Sequence, residues 1–142
     1  MNFKNHPQNL VEGTKTHIDF AVDENAMDTF ATLSGDRNSL HLDSDFARRH
    51  GFKDRVVYGG LLVAAISRII GMDLPGDGWV WHTVTMKFHN ALYIGETVQI
   101  TACIVYANLD LGVLRLSILG LRGNDKIIQG EVQVGRLNKT EK

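Results

Sequence analysis

Residues 61–70 read Leu-Leu-Val-Ala-Ala-Ile-Ser-Arg-Ile-Ile, apolar on nearly every helical face except at Ser67 and Arg68. A helix that is apolar all round is normally buried, so this segment requires a shell built from the rest of the chain. It is too short to cross a bilayer, which takes about 20 residues. Gly71, Pro75, Gly76 and Gly78 then break the chain, and four strand-like runs follow at 79–88, 96–107, 112–121 and 126–137. The last three are expected to pair as an antiparallel meander. One buried helix beside a long strand-rich half predicts an α+β domain, a curved antiparallel β-sheet wrapped around a central buried α-helix. At 142 residues the chain suffices for a single domain over 1–142, with residues 1–9 and 138–142 expected to be flexible.

Before the helix, residues 14–22 alternate weakly and predict a first strand. Asp23-Glu24-Asn25 offers N-cap chemistry for a helix through Leu33, which Gly35 stops. Asp43-Ser44-Asp45 can cap a second short helix over 46–50, ended by Gly51. Between them, Leu33-Ser34-Gly35-Asp36-Arg37-Asn38-Ser39-Leu40-His41-Leu42-Asp43 reads as a structured loop holding a carboxylate and an imidazole five residues apart. Asp, Asn and Gly are ordinary turn residues, and alone they would be structural. With His41 they make an acid/base pair, because an imidazole exchanges protons near neutral pH and a carboxylate can orient it.

Composition narrows the function classes. A hydrophobic content of 44% argues against disorder, and a net charge of −1 gives no basis for binding a nucleic-acid backbone. Lys4, Asn5, His6, Pro7 and Gln8 stand where an export signal needs an apolar core, so a cytoplasmic, membrane-free protein is expected. Cys103 is the sole cysteine and reads as a small packing residue of a half-buried strand. His6, His17, His50, His82 and His89 show no metal-ligand spacing, and His82 and His89 would face opposite sides of one regular strand, so no metal site is expected. Arg48, Arg49, His50, Lys53 and Arg55 form a basic run that reads as a solvated charged face, with phosphates or an acidic carrier protein as the sharper alternative. Trp79 and Trp81 share one strand face, either an interface or a ligand wall.

The segment from Phe30 through Leu33-Ser34-Gly35-Asp36-Arg37-Asn38-Ser39-Leu40-His41-Leu42-Asp43 to Phe46-Ala47 resembles the hydratase motif of the MaoC-like, (R)-specific enoyl-CoA hydratases, which have the hotdog fold. Residues 52–71 look like the family's central-helix segment, and 88–98, with Gly95-Glu96, like its later strand-turn-strand signature. The likeness runs from about Leu10 to the end. It implies that Asp36 and His41 are the catalytic pair, that Asn38 orients the loop, that Gly59 gives a backbone N–H to the thioester oxygen, and that Ser67 supports the site. For Ser67 the plain alternative is a hydroxyl bonded back to its own helix, and for Gly59 a glycine that caps or tightens a turn. The resemblance further implies acyl thioester substrates, no cofactor beyond the coenzyme A or acyl carrier protein that carries the acyl group, no metal, and a homodimer or dimer of dimers. Tyr58 stands where the family usually has histidine, Gly60 where it often has methionine, Ser39 where it usually has proline, and Ala91 replaces another common proline. Tyr58 and Gly60 are therefore expected along the acyl or thioester path, with plain packing as the alternative for Tyr58.

Adding water to a 2-enoyl thioester needs a base for water, an acid for the α carbon and donors for the enolate oxygen. Asp36 and His41 can share the first two roles, and the N–H of Gly59, at a helix N-terminus, suits the third. The expected activity is a hydro-lyase acting on trans-2-enoyl thioesters, or in reverse on (R)-3-hydroxyacyl thioesters. A carrier-protein-linked dehydratase of a specialised pathway, a non-catalytic acyl-binding subunit and a thioesterase are the competing readings.

Overall fold

Antiparallel pairing organises the carboxyl half in the computed structural model of the protein, which describes residues 9–138 and Thr140. The expected flexible ends therefore lie largely outside the described residues. Strands β1 (Lys15–Ala21), β2 (Trp79–Phe88), β3 (Thr97–Asn108), β4 (Val113–Arg122) and β5 (Asp125–Arg136) form one sheet in the order β1-β3-β4-β5-β2. The meander β3-β4-β5 is as the sequence predicts, and its turns place Gly112 and Gly123 at positive φ. β1 adds to β3 with Ile18 opposite Ile100, and β2 adds to β5 with Val84 opposite Val132.

Alternation sets the inner face. Val98, Ile100, Ala102 and Ile104 of β3, Leu114, Leu116 and Ile118 of β4, and Val132 and Val134 of β5 are buried, joined by Ile127 and Ile128. Full burial of one such side chain contributes about 1.5–3 kcal/mol. Cys103 falls on the opposite, half-exposed face of β3, and Trp79 and Trp81 pack against the core. The register of β2 shifts between Trp81 and Thr83, so the parity reading of His82 and His89 does not apply: a bulge turns the His82 ring over Gly135, where a Cβ would collide with it.

The sheet wraps the apolar helix at 59–68, giving the expected α+β architecture. Helix α1 (Glu24–Ser34) starts at Asp23, whose carboxylate accepts the Ala26 N–H at 2.8 Å, and ends at Gly35 with φ 74°. A one-turn helix α2 (Ser39–Leu42) follows, then α3 (Ser44–Arg49), capped by Asp43, which accepts from the Asp45 and Phe46 amides. The structured loop expected over 33–43 thus contains one helical turn, which is too short to show a period in the sequence. Helix α4 (Gly59–Arg68) continues into a π-helical turn, Ile69–Asp73. Leu62, Ala65, Ile66, Ile69 and Ile70 bury one face of this unit in the core, while Ala64, Ser67 and Arg68 remain exposed. The helix is thus covered on one side within a single chain rather than all round.

Candidate active site

Local side-chain bonds shape the Asp36–His41 segment. Ser34 Oγ donates to Phe30 O at 2.6 Å and accepts the Asp36 N–H at 3.1 Å. Asp36 Oδ1 then accepts the Asn38 N–H, and Asn38 Oδ1 accepts the Leu40 N–H, each at 3.0 Å. Two successive turns of this kind feed the chain into α2, with Asn38 as its N-cap. Asp36 and Asn38 are exposed, and His41 is half-buried.

His41 is held from across the chain. Its Nδ1 lies 2.6 Å from Val56 O. A carbonyl only accepts, so Nδ1 carries the hydrogen, and in the neutral ring Nε2 is the nitrogen with the free lone pair. The Val56 N–H returns to Leu40 O at 3.1 Å, so one residue clasps α2 twice. Val56 in turn forms an antiparallel bridge with Tyr93, and Val57 N–H donates to Leu92 O at 2.9 Å. Glu96 steadies that loop by accepting from Tyr93 N–H and from Arg122, which also donates to Ala91 O and Asp125. The bonds to Glu96 and Asp125 raise the Arg122 pKa, Glu96 contributing most.

Tyr58 lies beneath the loop, 1% exposed. Its hydroxyl donates to the Asp36 carbonyl at 2.6 Å, and its ring meets the His41 ring at 4.1 Å and the Phe30 ring at 4.6 Å between centroids. Burial, with the Asp36 charge second, pushes the phenol pKa up. The structure thus places Tyr58 inside the protein with its hydroxyl engaged.

Gly59 and Gly60 are the first two residues of α4, so their amides have no intrahelical acceptor. A Cβ at Gly59 would sit 3.0 Å from the Phe88 ring, and one at Gly60 would collide with the Phe30 ring. Glycine here lets two aromatic rings close against the helix start. Ser67 is exposed about two turns further along α4, and no hydrogen bond links it to the loop. In the basic run, Arg48 pairs with Asp45 and Asp54, and Arg55 with Glu24, so much of its charge is balanced. Sequence reasoning missed Val56, which acts through its backbone, and the Glu96–Arg122 pair; the Gly95-Glu96 turn was the only signal for the latter.

A family model described as MaoC like domain matches residues 6–109. The chain is 32% identical over 97 residues to the (R)-specific enoyl-CoA hydratase of Rhodospirillum rubrum, covering 68% of this chain and 67% of that protein. It is 31% identical over 112 residues to the 3-hydroxybutyryl-CoA dehydratase of Methylorubrum extorquens, covering 79% and 71%. Among solved structures, the (R)-hydratase from A. caviae involved in PHA biosynthesis superposes with a TM-score of 0.85 at 28% identity, covering 92% of this chain and 99% of that one.

Proposed function

The chain belongs to the MaoC-like dehydratase family, and on that premise we propose that it is a hydro-lyase adding water to trans-2-enoyl thioesters, or removing it from (R)-3-hydroxyacyl thioesters, with Asp36 and His41 as the acid/base pair. The observation that carries this is the His41 Nδ1 bond to Val56 O, which leaves Nε2 as a base beside the Asp36 loop. His41 Nε2 takes a proton from water while Asp36 orients that water. The water oxygen bonds to C3, and the electron pair of the double bond moves onto the thioester oxygen. The Gly59 N–H holds the resulting enolate oxygen. The imidazolium then returns its proton to C2, so atoms and charge balance.

Asn38 fixes the loop through its cap, and Ser67 is retained as a supporting residue on the family resemblance. The assembly is a homodimer or dimer of dimers. Strand β2 supports this: it ends the sheet with no neighbour on its outer side among the described residues, and it exposes Val80, Val84 and Phe88 at 45%, 44% and 54%. Such an edge is a template for pairing with a second chain. The test is loss of enoyl absorbance across a panel of chain lengths, each offered on coenzyme A and on acyl carrier protein. Turnover only on carrier protein would favour the specialised dehydratase, release of free thiol a thioesterase, and binding without turnover an acyl-binding subunit.

A further inference from the structure

We infer that Tyr58 is a positioning residue that locks Asp36, His41 and the Gly59 amide into one rigid unit, an inference resting on the proposed catalytic pair. No hydrogen bond joins Asp36 to His41. The bonds around Asp36 are otherwise local, from Ser34 and Asn38, and they shape the loop without fixing it to the rest of the fold. Tyr58 supplies that fixing from 22 residues away: a 2.6 Å hydroxyl bond to the Asp36 carbonyl, a ring laid against His41, and a second ring contact to Phe30 of α1. It is also the residue before Gly59 and the N-cap of α4.

One side chain thus relates both members of the pair to the helix start whose amide faces the substrate oxygen in the proposed reaction. Burial raises the phenol pKa, which favours the protonated form that donates this bond. A displacement of about 1 Å in a reacting group can cost about a hundredfold in rate. Tyr58 acts on geometry, so its loss should appear in turnover rather than in substrate binding.

The experiment compares wild type, Tyr58→Phe, Asp36→Asn and the double variant Tyr58→Phe/Asp36→Asn. Tyr58→Phe keeps the ring on His41 and loses only the hydroxyl. Its kcat should fall about tenfold to a hundredfold, with KM within about threefold. In the Asp36→Asn background the same change should have almost no further effect, since the residue to be positioned no longer acts. A purely structural tyrosine would give independent losses and no such split. Should Tyr58→Phe not fold, Tyr58→His gives the same test, because its shorter ring keeps the stack but falls short of the Asp36 carbonyl. A kcat within twofold of wild type in the folded variant, or losses that multiply in the double variant, would overturn the inference while leaving the catalytic pair standing. Full activity in Asp36→Asn would remove the pair, and the inference with it.

Discussion

His41 and Val56 are joined twice, through the imidazole Nδ1 at 2.6 Å from the Val56 carbonyl and through the Val56 N–H donated to Leu40 O beside His41. This clasp sets the tautomer of the ring and the orientation of α2 together. An asparagine at 41 can donate its side-chain amide to the same carbonyl but cannot accept a proton from water. His41→Asn should therefore fold with a melting temperature near that of wild type and lose at least about a hundredfold in turnover. Thermal unfolding and initial rates on the same preparation check this, and retained turnover would remove His41 from the chemistry.

Gly60 and Phe30 compete for one volume. A side chain at 60 meets the Phe30 ring, so Gly60→Met overpacks the start of α4. Overpacking costs about 1–3 kcal/mol, and for a chain of this size the melting temperature should drop by roughly 3–10 °C. Adding Phe30→Leu should recover much of the loss. If Gly60→Met melts like wild type, the ring yields freely and the position is open to substrate.

Two groups give stability a pH dependence of opposite sense. The Asp54 carboxylate accepts from Ser44 Oγ and from Arg55 N–H and faces Arg48, and the Ser44 bond is the largest cause of its lowered pKa. Its contribution is present above the ordinary carboxylate value near 4 and is lost as pH falls through the lower folded value. The Tyr58 phenol is raised, chiefly by burial, so its contribution is present below about pH 10 and is lost as pH rises through the higher folded value. Melting curves against pH should show Asp54→Asn flattening the acid limb and Tyr58→Phe the alkaline limb. Limbs unchanged in the variants would remove these assignments.

Val84 sits in the middle of the open β2 edge. A charge there opposes strand pairing between copies, so Val84→Lys should lower the sedimenting mass while leaving the circular dichroism of the fold intact. A stable, active wild-type monomer at high dilution would contradict the proposed dimer.

The fold was legible because its signals are periodic: the strand-like runs of 96–107 and 112–121 and the apolar run of 61–70 each specify an element without help from elsewhere. The sheet order, with β1 and β2 added at opposite edges of the meander, depends on long-range pairing that no local pattern encodes. The loop around Asp36 was readable for its residue types, and α2 was not, since four residues show no repeat. At Tyr58 the sequence shows only a departure from the family's usual histidine, which does not separate substrate contact from packing. The neighbours of Tyr58 within the chain, Asp36, His41 and Phe30, are brought to it by tertiary structure. The Val56 carbonyl was invisible, as any residue supplies the same acceptor.

The catalytic pair is tested most directly by following enoyl absorbance with a short trans-2-enoyl-CoA, using wild type, Asp36→Asn, His41→Ala and the double variant, with chiral analysis of the product. Wild type should form the (R)-3-hydroxyacyl thioester. Each folded single variant should lose at least about a hundredfold in kcat, and the double variant should be little worse than either, because both residues act on one water. Near-normal rates in either folded single variant, or an (S)-product from wild type, would contradict the account.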